Sequence, residues 1–583
     1  MEQYIAKLIN KEEIVEKHSI IDKVLNRSEY WKRSDFPGNI FLLQESFFRI
    51  MNISEKEKYA EALIFLWKKQ DENSCKALEI LSHIGKYLSL DINFIVSDVM
   101  ESFTNYGNES FAIYLLDFFK ALWNVCNFVV RDKITKFNNN LAIQGSENLR
   151  KQIYYTNMYL SCNPIRTENA TVLLLIPEFL TSSSFLQQPL DFMETVSSLK
   201  NYNVLADVLD NRVHNYSLEQ LKTIVAKYKI VVVTSCPVDM TQKYYLDYRY
   251  AIFCTYVLYL KSNIPQINLI IWGAHGNVKP EWVQQDVGKV NIVQRGTINS
   301  LVMEIIKTLK ISPNLLCAQK ETLSIDFMCV NMQWYYGRAF YNGITYQLHE
   351  YSILQLSKGC PYQCLFCYRH NGNDTSYLSL NQSLLLINKL IDQGIHNIFF
   401  IDSSFTLNRE YILDLCNELI KMDIGLSWQC ETRADLLDIH LLNIMKKAGC
   451  QAIWIGFESF DANVLEKNRK GITLKRQLES IEIIRQSDIE CCGFIMLGMP
   501  GETIESLNNT VNFVIKNKIP ISKSVNRCTV RPGSLLFDIM LRDYNFQINS
   551  FWDLEAFSGI VLNNISEKDL QMAEKKLNSY LQK

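Results

Sequence analysis

The sequence predicts an α/β multidomain protein: a helical N-terminal domain, a doubly wound parallel sheet, a partial (β/α)6 barrel and a short helical C-terminal region. Three observations carry this. At 583 residues the chain exceeds what one hydrophobic core holds, so several domains are expected. Residues 1–165 have helical periodicity and few β signals. From about residue 170 onward, β-branched apolar runs alternate twice with helical segments, the pattern of parallel sheets with crossover helices.

In the N-terminal part, EKYAEALIFLWKKQDENSCKALEILSHIGKYLSL repeats apolar residues at three- and four-residue spacing, and ESFAIYLLDFFKALWNVCNFVV (109–130) does so again. Such stripes pack as a helical bundle. No catalytic constellation is visible there, and the aromatics read as core. An accessory domain is expected.

A second domain is expected over 166–312. TVLLLIP (171–177), YNVLADVLD (202–210), IVVVTSCP (230–237), INLIIWG (267–273) and KVNIVQRG (289–296) read as buried strands of a Rossmann-like sheet. Ligands of such sheets bind at the carboxyl ends of the strands. The loops PEFLTSS, DNRVHNY, SCPVDM and GAHGNVKPE are therefore the candidate contacts. Residues 313–345 are expected to form a linker.

The barrel is expected over 346–540, with strands at 352–357, 397–403, 426–432, 452–459, 491–497 and a weaker one at 524–530. NQSLLLINKLIDQG (381–394) and LLNIMKKAG (441–449) supply intervening helices. Barrel chemistry sits at strand C-termini. Residues 541–583 end in a charged helix.

Composition narrows the function classes. Hydrophobic content of 48% and charged content of 21% fit a globular chain with ample core material. A net charge of −2 gives no drive toward nucleic acid or anionic membrane. No apolar run reaches the ~20 residues of a membrane span. The start shows no secretory leader, so the 16 cysteines read as reduced thiols of a cytoplasmic protein.

Three cysteines stand apart. SKGCPYQCLFCY (357–368) places Cys360, Cys364 and Cys367 directly after the first barrel strand. Four thiolates complete a structural zinc site or an iron–sulfur cluster. Here there are three, and zinc with His370 as fourth ligand is one reading. The spacing is not the paired C-x2-C of zinc knuckles, and Pro361 biases Cys360 away from helix. A cluster held by three thiolates keeps one iron open to a ligand, which means reactivity.

C-x3-C-x-φ-C after a strand resembles the signature of the radical S-adenosylmethionine (SAM) enzymes. The resemblance implies a [4Fe-4S] cluster on Cys360, Cys364 and Cys367. SAM would be chelated to the fourth iron and cleaved by one electron to methionine and a 5′-deoxyadenosyl radical. Further segments agree with it. Phe366 matches the φ position near the adenine. IDSSFTLN (401–408) implies Asp402 and Ser403 at the SAM amino group. ETRADLL (431–437) puts Arg433 near the SAM carboxylate, where a surface ion pair is the alternative. GFESFDANVLEKNRKG (456–471) resembles the fourth-strand segment, implicating Glu458 and Ser459. GFIMLGMPGET (493–503) resembles the stretch under the adenosine, with Gly498 allowing close approach. VRPGSLL (530–536) resembles the sixth-strand Pro-Gly segment.

The sheet upstream resembles the cobalamin-binding domain of the B12-dependent branch of that family. WGAHGNVKPEW (272–282), VNIVQRGTINSLVMEII (290–306) and DVLDNR (207–212) carry this resemblance. It implicates Asp210, Ser235, Gly273, His275 and Gly296 in cobalamin binding, though Thr297 departs from the expected acidic residue. The D-x-H-x-x-G of methionine-synthase-type domains is absent, and His214 is expected to be an ordinary histidine. The lower axial position of cobalt would then hold water, another side chain or nothing.

Together these resemblances imply a cobalamin-dependent methyltransferase acting on an unactivated carbon, or less readily a phosphinate phosphorus, of a natural product or peptide. An electron donor such as flavodoxin or ferredoxin is implied as partner. Radical rearrangement or cyclisation without methyl transfer is the alternative within enzymes. A non-catalytic cobalamin or redox sensor is the alternative outside them. A methylthiotransferase is disfavoured, because neither an additional N-terminal cysteine trio nor a basic C-terminal RNA-binding domain is present.

Overall fold

The structure is a computed structural model describing Ile64, Trp67, Leu78, Leu81, Ser82 and residues 92–581. Outside the description within that range lie 107–108, 124–125, 127, 163–164, 178–186, 215, 236–247, 294–296, 312–324, 337–338, 342–345, 349, 369–371, 522–524, 544–550 and 552–564. Four helices open the described part: α1 (Ile92–Tyr106), α2 (Glu109–Leu122), α3 (Phe128–Gln144) and α4 (Glu147–Ser161). Their apolar stripes meet: Val96, Val99, Leu115, Phe119 and Ile153 are buried. Ser146 caps α4 by accepting from the Leu149 amide, satisfying an otherwise orphan donor.

The next unit is a five-stranded parallel sheet in the order β2-β1-β3-β4-β5: β1 (Val172–Ile176), β2 (Ala206–Asp210), β3 (Ile230–Thr234), β4 (Asn268–Trp272) and β5 (Asn291–Ile292). VLLLI and IVVVT are buried along their whole length, as strands covered by helices on both faces must be. The covering helices include α5 (Leu190–Lys200), α7 (Leu218–Val225), α8 (Tyr248–Asn263) and α11 (Ile298–Thr308). Three more are α6 (Asn211–His214), α9 (Ala274–Val278) and α10 (Pro280–Val287). The strand order reverses between β1 and β3, which makes a crevice at their carboxyl ends.

Residues 325–336, expected within a linker, instead pack onto this unit. The Asp326 amide donates to the Met193 carbonyl at 3.3 Å, and Trp334 and Tyr335 are buried. A short antiparallel hairpin follows, β6 (Ala339–Tyr341) with β7 (Tyr346–Leu348).

The third unit is a six-stranded parallel half-barrel in the order β8-β11-β12-β13-β14-β15. Its strands are β8 (Tyr351–Leu354), β11 (Asn397–Phe400), β12 (Ser427–Thr432), β13 (Cys450–Glu458), β14 (Glu490–Leu497) and β15 (Asn526–Arg527). Helices α12 (Leu380–Ile391), α13 (Arg409–Met422), α14 (Ile439–Lys447), α15 (Ala462–Lys467), α16 (Leu474–Arg485) and α17 (Ile504–Lys516) accompany them. After β15 come α18 (Leu535–Asp543) and α19 (Glu567–Leu581).

An incomplete barrel leaves two open edges, and unpaired strand backbone is a liability. Both are partly covered. At β8, fully buried Gln188 donates to the Tyr351 carbonyl at 2.7 Å and accepts from the Ile353 amide at 3.2 Å, standing in for a strand. At β15, Arg527 is gripped by Glu574 (2.5 and 2.7 Å) and Glu567 (2.8 and 2.9 Å) of α19.

Candidate active site

The cysteine motif occupies the loop leaving β8. Two residue pairs close its neck: β9 (Ser357–Lys358) lies antiparallel to β10 (Ser376–Tyr377). Gly359 has φ +86°, and a Cβ there would sit 1.9 Å from the Asp374 carbonyl oxygen, so only glycine fits. Inside the loop, the Cys360 amide donates to the Gly372 carbonyl at 3.2 Å and the Cys367 amide to the Cys364 carbonyl at 3.2 Å. Leu365 is held from both sides. Its amide donates to the Asn468 carbonyl at 3.0 Å, and its carbonyl accepts from the Leu536 amide at 2.8 Å.

Asp402 lies just past β11, but its carboxylate faces the chain itself. Oδ1 accepts from the Ser357 amide and hydroxyl, both at 2.5 Å, and from the Leu356 amide at 3.2 Å. Asp402 thus anchors the bend that leads into the cysteines. Ser403 is exposed on the following turn.

Burial raises the Asp402 pKa from 3.8, bonds from Ser357 and Leu356 pull it back, and the result is about 6. The folded chain therefore holds the proton to higher pH than the unfolded chain does. This group contributes most to stability below about pH 4 and loses that contribution as pH rises through 6. D402N removes the titration. The stability of wild type relative to D402N is expected to fall by about 2–3 kcal/mol between pH 4 and 7. Urea unfolding across that range measures it, and a pH-independent difference would contradict the assignment.

A buried polar chain wraps the far side of the loop. The Arg433 guanidinium stacks 3.6 Å from the Tyr362 ring centroid and reaches Cys364 Sγ at 4.0 Å. It also donates to the Lys470 carbonyl at 2.8 Å and pairs with Asp435 at 2.9 Å. Arg433 is thus 6% exposed and not a surface ion pair. Lys470 Nζ meets Glu458 Oε1 at 3.1 Å. Burial opposes the Lys470 charge, but Glu458 and Cys364 outweigh it, and the net shift is upward. Glu458 takes φ +64° where the β13–β14 register shifts, which turns it toward Lys470.

Ser459, expected beside Glu458 in the SAM site, points the other way: its hydroxyl lies 3.0 Å from that of Thr510, fully buried. Gly498 has φ +76°, and its amide donates to Glu502 Oε2 at 2.5 Å. Phe366 is half-buried beside the cysteines.

Burial, then the neighbouring sulfurs of Cys364 and Cys360, push Cys367 up to about 12. A thiolate there needs positive charge to balance it, which coordinated metal provides. Among the described residues no three Cys, His, Asp or Glu side chains converge as ligands of a single ion. His370, the alternative zinc ligand, lies outside the described residues.

In the parallel-sheet domain the implicated residues divide. Gly273, φ +117°, and Ser235 lie at the ends of β4 and β3. The Ser235 hydroxyl is buried with no hydrogen-bond partner, an orphan at the carboxyl end where a ligand is expected. Asp210 is engaged by the chain itself. Arg212 holds it at 2.9 and 2.6 Å, and the Tyr335 hydroxyl donates to it at 3.0 Å. His275 is fully buried, stacked on Tyr250 (4.6 Å between centroids) with Phe551 against its edge (4.9 Å). His214 is buried, and desolvation lowers its pKa to about 3. Gly296 and most of the loops after β1 and β3 lie outside the described residues.

Tyr362, Lys470, Asn468 and Gln188 were absent from the residues expected to build the site. For Lys470 the available signal was its place in the turn after β13. Gln188 carries no local signal, because its partner strand lies more than 160 residues away.

Residues 354–514 match the family model of the Radical SAM superfamily. The chain is 25% identical over 209 residues to an uncharacterised methyltransferase of Pyrococcus horikoshii (35% of this chain, 44% of that protein). It is 27% identical over 213 residues to the hopanoid C-2 methylase of Rhodopseudomonas palustris (34% and 40%). The chain spans less than half the length of these curated relatives. Its fold is similar to that of the radical SAM methyltransferase TsrM of Kitasatospora setae, a structure with cobalamin and a [4Fe-4S] cluster bound. The TM-score is 0.53 at 15% identity, covering 63% of this chain and 74% of that one. The half-barrel is therefore a radical SAM domain preceded by a parallel-sheet domain in a shared architecture. No described helix is long and apolar enough to cross a membrane.

Proposed function

We propose that the chain is a cobalamin-dependent radical SAM methyltransferase that methylates an unactivated carbon of a natural-product or peptide substrate. The observation that carries this reading is the meeting of the two domains at the cysteine loop. A Cβ on Gly533 would lie 2.7 Å from Val278, just beyond β4, and 3.0 Å from Tyr368, next to Cys367. A methyl carrier and a radical generator must address one substrate atom together, and proximity is what an enzyme supplies to such a step.

When bound, the cluster with SAM supplies a carbon radical, and cobalamin supplies a methyl carrier. The chain's own residues do the rest. Cys360, Cys364 and Cys367 hold the iron. Arg433 and Lys470 place positive charge beside them and suit the SAM carboxylate, while Glu458 suits its amino or ribose groups. Gly498 lets a base approach the backbone. Gly273 and the Ser235 hydroxyl suit cobalamin at the strand ends. Phe399 of β11 meets Trp454 of β13 edge to face, and Trp454 packs against Phe494 of β14 at 5.4 Å, an aromatic row across the strands that suits a site shielded from water. Relatives named for hopanoid and bacteriochlorophyllide methylation support carbon as the acceptor.

The test is anaerobic reconstitution with iron, sulfide and cobalamin, then SAM, a low-potential reductant and candidate substrates. Both 5′-deoxyadenosine and S-adenosylhomocysteine are expected, with a gain of one methyl group in the product. Deoxyadenosine without that gain would favour rearrangement, and a loaded protein yielding neither would favour sensing.

A further inference from the structure

We infer that the segment Gly533–Phe537 is a mechanical joint that fixes the cysteine loop against the parallel-sheet domain. Three successive features make it so. Gly533, φ +85°, leaves just enough room for Val278 of α9 and Tyr368 of the cysteine loop to close on the same spot. Three residues on, the Leu536 amide donates to the Leu365 carbonyl at 2.8 Å, between Cys364 and Cys367. The next side chain, Phe537, meets the Trp282 ring of α10 edge to face at 6.2 Å, and Lys279 lies over both rings (5.3 and 5.8 Å). One backbone bond on the cluster side and one buried ring on the other thus belong to neighbouring residues of the first turn of α18. That turn cannot shift without moving the loop, the sheet domain or both, because packed interiors transmit displacement.

The joint is neither a ligand nor a reacting group. Its residues are positioning residues, and their consequence for methyl transfer rests on the function proposed above. The exchange measurement below does not, so the two can fail separately.

Hydrogen exchange on the full-length chain, without cofactors, tests the joint directly. F537A removes the ring and keeps the Leu536 amide; F537L keeps apolar bulk and loses the ring contact; W282A removes the same contact from the sheet-domain side. In F537A and W282A, peptides covering 274–287 and 360–368 are expected to exchange at least about fivefold faster together, with F537L in between. Peptides from β12 and β13 should stay unchanged. Acceleration confined to the mutated side overturns the joint, as does uniform acceleration of all segments in all three variants. In the reconstituted enzyme, F537L should keep deoxyadenosine formation within about twofold and lose S-adenosylhomocysteine formation at least tenfold. Parallel loss of both, or of neither, also counts against it.

Discussion

Cys364→Ala is expected to lower bound iron from about four per chain to under about one after anaerobic reconstitution and to reduce 5′-deoxyadenosine formation to the enzyme-free rate. Cys364 is the most buried of the trio, the nearest to Arg433, and the acceptor of the turn that brings Cys367 round. With one corner ligand gone, a cuboidal cluster keeps two thiolates and opens a second iron to water. The same result is expected for Cys360→Ala and Cys367→Ala. Cys254, fully buried in α8, serves as control: C254A trims a small hydrophobe and should leave iron and turnover intact. Iron assay, the absorption band of the cluster and product quantification read the outcome. Stoichiometric zinc in anaerobically purified protein, or turnover in the triple alanine variant, would refute the cluster.

Most of the strands were legible because a buried parallel strand is an uninterrupted apolar run. VLLLI, IVVVT and CQAIWIGFE announce themselves. The edge strands were less so. Of the runs expected at 289–296 and 524–530, the described residues form strand only at Asn291–Ile292 and Asn526–Arg527, since an edge strand pairs on one side only. Within the site, residue types were readable and side-chain directions were not. Glu458 and Ser459 are consecutive, yet a register shift between Gly456 and Glu458 sends one toward the cysteines and the other into the Thr510 pocket. Asp402 was legible as a strand-end carboxylate, but its partners, Leu356 and Ser357, sit 45 or more residues earlier. Contacts of that range are set by the fold. Lys470 was visible only as part of a turn, and its burial follows from α15 folding back under the loop.

The second large effect is expected at that lysine. K470M should cost about 3–5 kcal/mol in urea unfolding, because it leaves the Glu458 carboxylate buried without its counter-charge. The two side chains are 8% and 11% exposed, and water cannot readily replace the lost partner. Gly456 shows how closely the pair is housed: a Cβ there would lie 2.5 Å from Glu458 Oε1 and 3.0 Å from Lys470 Nζ. The backbone bond from Arg433 to the Lys470 carbonyl survives the substitution, so the loss reports on charge alone. E458Q/K470M removes both charges and should recover most of the stability, the behaviour of a buried pair replaced by neutral groups. Equal losses in the single and double variants would mean that packing, not pairing, sets the cost. The double variant then separates two roles for the pair. If stability returns while SAM cleavage stays lost, the ammonium and carboxylate are there for the ligand; if both return, they only hold the turn beneath the cysteine loop.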